Sequence, residues 1–173
     1  MKSSVVAAAE EVLLQGQALL AEVDPELYLI KAGEPFNASI GQHYRHVLDH
    51  FTCFLAGMTS GAIDYDRRSR SRELESDIEH ARTVTEKLIQ ILKSGPTAIW
   101  DRDCKVVYTV GYGEEAPSAI ASTVERELAF CVSHSVHHYA IIRLLCAHLQ
   151  VQVPSAFGIA PSTLKFRLAQ AAN

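Results

Sequence analysis

The residues of this chain best suited to chemistry are histidines, which fall into two groups far apart in the sequence. In the downstream group, His134 and His138 lie within a long apolar run, Leu128 to Leu149, that predicts one helix. Residues four apart share a helix face, so these two imidazoles point the same way, one turn apart. A helix presents two ligands to one metal ion in this way.

The upstream group contains His43, His46 and His50, spaced three and four residues apart on another predicted helix. We expect the fold to bring the two groups together, with His46 as the third ligand beside His134 and His138. His43 and His50 are its rivals, because each lies within about one turn of His46. The spacing alone does not choose among the three.

The neighbours of the downstream histidines predict that they face the core. The same stripe of the helix carries Glu127, Phe130, Cys131, Ile141 and Leu145. A buried imidazole without partners costs free energy. Three converging imidazoles meet that need by binding a divalent metal, which leaves positions open for water or substrate. Core histidines with ordinary hydrogen-bond partners are the alternative.

The composition limits the classes of function that the protein can have. The 173 residues contain 16 Lys+Arg and 20 Asp+Glu, giving a net charge of -4 and no basic tract, which argues against nucleic-acid binding. Glu10 and Glu11 interrupt the apolar start, and Pro154 and Pro161 interrupt the uncharged run from 144 to 164, so no membrane span is expected. We therefore expect a soluble, cytoplasmic protein.

The four cysteines lack paired-motif spacing, which favours reduced thiols in that compartment. Cys131 and Cys53 fit small core residues, with a ligand or a reactive thiol as the alternative. A bridge between Cys53 and Cys104 stays open.

Four long helices are predicted to position the histidines. Their expected bounds are Ser3 or Ser4 to Val23, Asn37 or Ser39 to Gly57, Ser71 to Lys93, and a start between Ser118 and Ser122 to Leu149. This pattern predicts an all-α fold, an antiparallel four-helix bundle that forms one domain over residues 1–173. The long connection before the last helix could instead make a crossover.

Between the third and fourth helices, the strand-favouring run from Thr97 to Val110 predicts a small inserted β-hairpin with its turn at Asp101-Arg-Asp103. Ser122-x-x-Glu125 resembles a capping box for the last helix. The polar string from Gly61 to Arg70 predicts a turn, and Pro161 could start a short final helix.

The second helix has two unusual faces. One is apolar, and the other carries the upstream histidines but almost no charge. A surface helix normally has a charged outer face. We therefore expect both faces to be covered, one inside the domain and the other by a partner subunit, which predicts a homodimer.

The two histidine motifs resemble those of the DinB/YfiT-like superfamily, over nearly the whole chain. The first is Ser-x-Gly-x-x-x-x-His, here Ser39-Ile-Gly41 through His46, and the second is His-x-x-His-His, here 134–138. The resemblance implies that His46, His134 and His138 bind Ni²⁺, Zn²⁺, Fe²⁺ or Mn²⁺. The family often has Gly-Gln after its last histidine pair, where this chain has Tyr139-Ala140.

The resemblance favours a metal-dependent enzyme, because the superfamily includes thiol-dependent S-transferases and some hydrolases and isomerases. The expected substrate is a small-molecule thiol or electrophile. His50, Asp49 and Glu127 are the candidate acid–base groups. Asp49 could instead orient a ligand or form a salt bridge, and Glu127 could form a surface pair.

Two non-catalytic hypotheses remain beside the enzyme. One is a metal-stabilised bundle of stress-response type, and the other is a metal-free dimerisation scaffold with core histidines. A di-iron site is excluded, because it needs two Glu-x-x-His motifs and the chain offers only Asp77-x-x-His80. His80 and His148 are expected to be incidental. The run from Tyr65 to Arg68 could line the pocket mouth, but turn chemistry explains it as well.

Overall fold

The computed structural model of the protein describes residues 3–95, 99–113 and 116–171. Within these ranges the fold is mostly helical, with one small sheet. The helices are α1 (Ser4–Glu22), α2 (Pro25–Leu29), α3 (Ile40–Met58), α4 (Arg72–Ser76), α5 (Ile78–Ser94), α6 (Val124–His148) and α7 (Pro161–Ala171). The strands are β1 (Ala62–Asp64), β2 (Asp103–Val107) and β3 (Ile120–Thr123).

Local capping explains where the first two long helices begin. The Ser3 hydroxyl accepts a hydrogen bond from the Val5 amide and caps α1. Ser39 and Gln42 form a reciprocal capping box at the start of α3. Asp24 caps the short α2, with Pro25 at its first position, so the predicted stop at Asp24-Pro25 also starts another helix.

The third predicted helix, Ser71 to Lys93, is wrong as a single element. It is broken at Asp77, which has an extended backbone and caps α5 by accepting hydrogen bonds from the amides of Glu79 and His80. An aspartate side chain that binds the backbone in this way competes with helix continuation. The break separates α4 from α5.

The predicted hairpin within Thr97 to Val110 is also misplaced, although residues 97 and 98 lie outside the described ranges. Strand β2 pairs antiparallel with β3, and its other edge pairs in parallel with β1, in the segment predicted as a turn. The β3 strand occupies residues expected to start the last helix. Thr123, rather than Ser122, caps α6 by accepting from the Arg126 amide.

The four longest helices contact one another in a closed sequence: α1 packs on α5 and α6, and α3 packs on the same two helices. Their antiparallel directions stay a prediction. The histidine face of α3 meets α6 of the same chain, as expected of the face that looks into the domain. The apolar face, expected to meet a partner subunit, is instead buried within the chain at Tyr44, Val47 and Phe51. The homodimer stays a prediction that has lost this support.

Helix α1 is, among the described residues, the one helix long and apolar enough to cross a membrane. Its side chains at Val6, Val12, Leu13, Leu19 and Leu20 are nevertheless buried in the core. A helix whose apolar residues pack on α5 and α6 is the core helix of a folded domain. The cytoplasmic location stays a prediction.

Gly41 allows α4 to approach the start of α3. A methyl group at this position would overlap the Glu75 carbonyl oxygen and lie 2.8 Å from the Tyr28 ring. Tyr28 is itself fixed, because its hydroxyl donates to the Leu74 carbonyl over 2.6 Å. The close approach therefore depends on the absence of a side chain, which gives the glycine of the first motif a packing role.

We expect Gly41→Ala to destabilise the protein by about 1–3 kcal/mol, because the overlap with backbone outweighs the better helix propensity of alanine. The free energy of unfolding in urea measures this effect. Gly33→Ala is the matched control, since nothing lies within 4 Å of the added methyl group there. Equal stability of the two variants would contradict this account of Gly41.

Candidate metal centre

The two histidine groups meet where α3 crosses α6. His46 Nε2 lies 2.9 Å from His134 Nε2, and the His46 and His138 ring centroids are 4.4 Å apart. His46, His134 and His138 each place one ring nitrogen within 4.8 Å of the ring nitrogens of the other two. The structure thus brings together the three residues predicted as ligands, while ligation itself stays a prediction.

The imidazoles are held in their neutral form. Burial lowers the pKa of His46 to about 3, of His134 to about 4 and of His138 to about 2, and the neighbouring imidazoles add to each effect. A metal ligand must be neutral imidazole, so no proton has to leave these rings at pH 7 before an ion binds. His138 is only 9% exposed, whereas the other two rings are half-buried.

The donor set fits one divalent transition-metal ion. Two ring nitrogens as close as those of His46 and His134 need a proton or a cation between them, because their lone pairs repel. Nitrogens bound to one ion at about 2.1 Å lie about 3.0–3.4 Å apart, close to the observed separation. Imidazole nitrogen suits Zn²⁺, Ni²⁺ and Fe²⁺, and three such ligands leave further coordination positions for other molecules.

His43 occupies a different place from the three clustered rings. Its Nδ1 lies 3.0 Å from Nδ1 of His138, so one of these two atoms donates a hydrogen bond and the other accepts. When Nδ1 of His138 is the donor, Nε2 of that ring carries no proton and is left for an ion. His43 is therefore better suited to orient His138 than to replace His46.

His50 lies against the cluster but is fixed by the backbone. Its Nδ1 donates to the His46 carbonyl over 2.7 Å, which leaves Nε2 without a proton in the neutral ring. The ring centroid is 4.2 Å from that of His134 and 4.5 Å from that of His46. Burial lowers the pKa of His50, and the hydrogen bond to the carbonyl partly opposes this change. Its free nitrogen can accept a proton beside the metal ligands.

Asp49 is buried, and its hydrogen bond and ion pair are made to groups other than the histidines. Its carboxylate accepts a hydrogen bond from the Ser69 hydroxyl over 3.0 Å and pairs with Arg45 at 3.9 Å. Arg45 also pairs with Glu75, so these residues join α3 to α4 and to the segment before it. The contacts support a structural role for Asp49.

Glu127 is also buried, close to the start of α6. One carboxylate oxygen accepts from the Ser122 hydroxyl over 2.6 Å and from Arg126 over 2.8 Å. The other oxygen is buried and has no hydrogen-bond partner among the described residues. The contacts recorded for Glu127 involve no histidine of the cluster, so it is less suited than His50 to proton transfer there.

Aromatic rings form one wall of the site. Phe130 stacks on His134 with centroids 5.4 Å apart and also contacts Tyr65 and Tyr108, while Tyr65 stacks on His50. The sequence placed Phe130 on the histidine stripe, but helical spacing could not show that the residues just after β1 and β2 complete this wall. Tyr108 was missed for that reason.

The cysteines do not belong to the clustered donors. All four are free thiols, so the open pairing of Cys53 with Cys104 is wrong. Cys131 is fully buried, and burial raises its thiol pKa to about 12. Its sulfur lies 3.6 Å from the Tyr65 hydroxyl, which makes it a core residue behind the site.

The two remaining histidines make contacts outside the cluster. His80 contacts Glu73, and His148 contacts Phe36.

An apolar cavity of the fold lies apart from the histidine cluster. A cavity of about 480 Å³ between α3 and α5 is lined by Leu55, Leu74, Val84, Leu88 and Ile91. None of the clustered histidines lines it. The histidine cluster, rather than this apolar cavity, is therefore the candidate functional site.

The lowered imidazole pKa values predict how stability depends on pH. In the unfolded chain the three histidines take up protons near pH 6.5, whereas the folded protein keeps them neutral. Their contribution is therefore complete above about pH 6.5 and is lost as the pH falls toward 4. The loss amounts to at most about 1.4 kcal/mol per pH unit for each imidazole.

Urea unfolding of metal-free protein between pH 7.5 and pH 5 measures this loss. We expect His134→Ala/His138→Ala to weaken the pH dependence, and His80→Ala/His148→Ala to leave it as in the wild type. An equal slope in the first variant and the wild type would show that these imidazoles are not held neutral.

Comparisons with known proteins agree with the fold and identify the family. FK506-binding protein 5 of Rhizopus delemar is 32% identical over 103 residues, which are 60% of this chain and only 27% of that protein. A DinB-like protein of Bacillus subtilis, YjoA, shares the fold with a TM-score of 0.63 at 18% identity, covering 88% of this chain and 96% of its own. The family model of the DinB superfamily matches residues 15–142. This chain therefore belongs to the DinB superfamily, as its histidine motifs predicted.

Proposed function

We propose that the protein binds one divalent transition-metal ion through His46, His134 and His138, and transfers a low-molecular-weight thiol to an electrophile. One observation carries the metal site: three neutral imidazole nitrogens from two helices lie within 4.8 Å of one another. Membership of the DinB superfamily supports it. The choice of thiol transfer over hydrolysis rests on the resemblance alone.

A bound divalent ion would act as a Lewis acid that favours the deprotonated form of a thiol or water ligand. The chain's own residues would bind and orient the reactants around it. The three imidazoles bring no negative charge, so the full charge of the ion remains available to a substrate anion. The stack of Phe130 on His134 would keep water from one side of the cluster.

His50 is our choice for the general base. Its Nδ1 is fixed to the His46 carbonyl, and its unprotonated Nε2 can take the thiol proton. Asp49 and Glu127, the other candidates, are engaged with Arg45 and Arg126. Their ion pairs leave His50 as the acid–base group beside the ligands.

We expect protein purified without a histidine tag to contain close to one equivalent of a transition metal, and His134→Ala/His138→Ala to contain almost none. Elemental analysis measures both. His80→Ala/His148→Ala is the matched control, because it also removes two imidazoles but leaves the cluster complete. Absence of metal from the wild type, even after addition of Ni²⁺ or Zn²⁺, would contradict the proposal and favour the metal-free scaffold.

We expect His50→Gln to retain the metal but to lower the rate of thiol transfer by about 10²-fold or more, the usual contribution of a general base. The rate is followed with low-molecular-weight thiols and a chromogenic aryl halide. Asp49→Asn serves for comparison, because we expect it to lower the stability of the protein but not the rate of thiol transfer. An unchanged rate in His50→Gln would remove this residue from the mechanism.

The competing function is a metal-stabilised bundle without activity. It is favoured by the position of the cluster, since an ion there would join α3 to α6. In that case metal would raise the free energy of unfolding by roughly RT ln(1 + [L]/Kd). Stabilisation by metal without turnover of any thiol or electrophile would favour this non-catalytic function.

A further inference from the structure

We propose that Arg68 recognises a carboxylate on the substrate, and hence that the thiol used by this site carries a carboxylate close to its sulfur. The inference rests on the proposed function, because it places the sulfur at the metal. It adds the chemical class of the substrate and the residue that selects it.

A hydrogen bond to the backbone just after β1 holds Arg68 beside the histidines. Its Nη1 donates to the Tyr65 carbonyl over 2.5 Å, and the Tyr65 ring stacks on His50 with centroids 5.4 Å apart. Arg68 as a whole residue is half-buried. It is also near enough to His46, His50 and His134 for its charge to help lower the pKa of all three imidazoles.

The carboxylates around Arg68 already have other partners. Asp64 caps the amides of Asp66 and Arg67 and pairs with the Arg67 side chain at 3.3 Å. Asp66 accepts from the Thr109 hydroxyl over 2.9 Å, and Asp49 is engaged with Arg45 and Ser69. Among the described residues, Arg68 has no carboxylate within ion-pair distance.

The other arginines of this region are already engaged. Arg45 pairs with Glu75, Arg126 pairs with Glu127, and Arg67 is 88% exposed in its pair with Asp64. An arginine that is half-buried and lacks a counter-ion retains most of its donors for a ligand. Arg68 therefore differs from its neighbours in being both close to the cluster and free to bind an anion.

The charge balance of the site points to the same ligand. Three neutral imidazoles do not compensate a divalent ion, and Arg68 adds a further positive charge. A thiolate supplies one negative charge to the ion, which leaves one charge of the ion and that of the guanidinium uncompensated. A carboxylate on the same molecule matches the planar fork of arginine and can accept two parallel hydrogen bonds.

The test compares two thiols that differ in one group, bound to protein loaded with Co²⁺. Mercaptoacetate carries a carboxylate where 2-mercaptoethanol carries a hydroxyl. The visible absorption of Co²⁺ reports thiol binding directly, without a need for turnover. We expect the wild type to bind mercaptoacetate about 10- to 100-fold more tightly than 2-mercaptoethanol, the range for a charged hydrogen-bonded pair.

We expect Arg68→Gln to abolish this preference while the affinity for 2-mercaptoethanol stays as in the wild type. Arg68→Lys should retain part of the preference, because it keeps the charge but loses the fork. Arg67→Gln is the matched control in the same segment and should keep the full preference. Circular dichroism and Co²⁺ uptake show that each variant is folded and loaded.

Two kinds of failure are distinguishable. If both thiols bind the wild type equally well, or if Arg68→Gln keeps the preference, the role of Arg68 is overturned while the metal and thiol chemistry stand. If neither thiol changes the Co²⁺ absorption of the wild type, the proposed function fails, and the carboxylate preference that rests on it fails as well.

Discussion

The candidate site depends on neutral imidazoles packed so closely that a proton or a cation must lie between them. His46 and His134 approach nitrogen to nitrogen across α3 and α6, and His138 completes the group from the next turn of α6. Burial keeps the rings uncharged, which removes their mutual charge repulsion but leaves several lone pairs in a small volume. A cation is the ligand that such an arrangement suits, and the surrounding elements serve to hold it in place.

The elements around the cluster divide this task between them. The capping box at Ser39 and the close approach at Gly41 fix the start of α3 against α4. The pairing of Arg45 with Glu75 holds the opposite side of that helix. On α6, Thr123 fixes the first turn, and Phe130 packs against the ring of His134. The histidines are thus positioned by ordinary packing and capping before any ligand contributes.

Much of this site could be predicted from the sequence, because its main features are local. The spacing of His134 and His138 defines one helix face, and the apolar residues on that face show that it is buried. The bounds of α1 and α3 follow from serine caps next to amphipathic runs. The meeting of α3 with α6 was inferred from the chemistry of histidine, since spacing within one helix cannot report a contact between two.

The parts that could not be predicted involve contacts distant in sequence or a choice between neighbours. The break at Asp77 depends on one side chain capping the next helix, in a run whose apolar spacing continues through it. The parallel pairing of β1 with β2 joins segments about forty residues apart, so no local turn in the sequence indicates it. The roles of His43, Tyr108 and Arg68 also follow from tertiary position rather than from residue type.

The arrangement of the sheet bears on how this site can change in evolution. Strands β1 and β3 lie on opposite sides of β2, so the backbone hydrogen bonds of β1 do not involve β3. The segment that carries Tyr65 and Arg68 directly follows β1, and because β1 and β2 are parallel, the residues after β2 leave from the same end of the pair. Thr109 and Asp66 join these two segments by a hydrogen bond, and Tyr108 contacts Phe130 in the wall of the site. A change in length just after β2 would therefore disturb both the arginine segment and the aromatic wall, so these parts of the chain must evolve together.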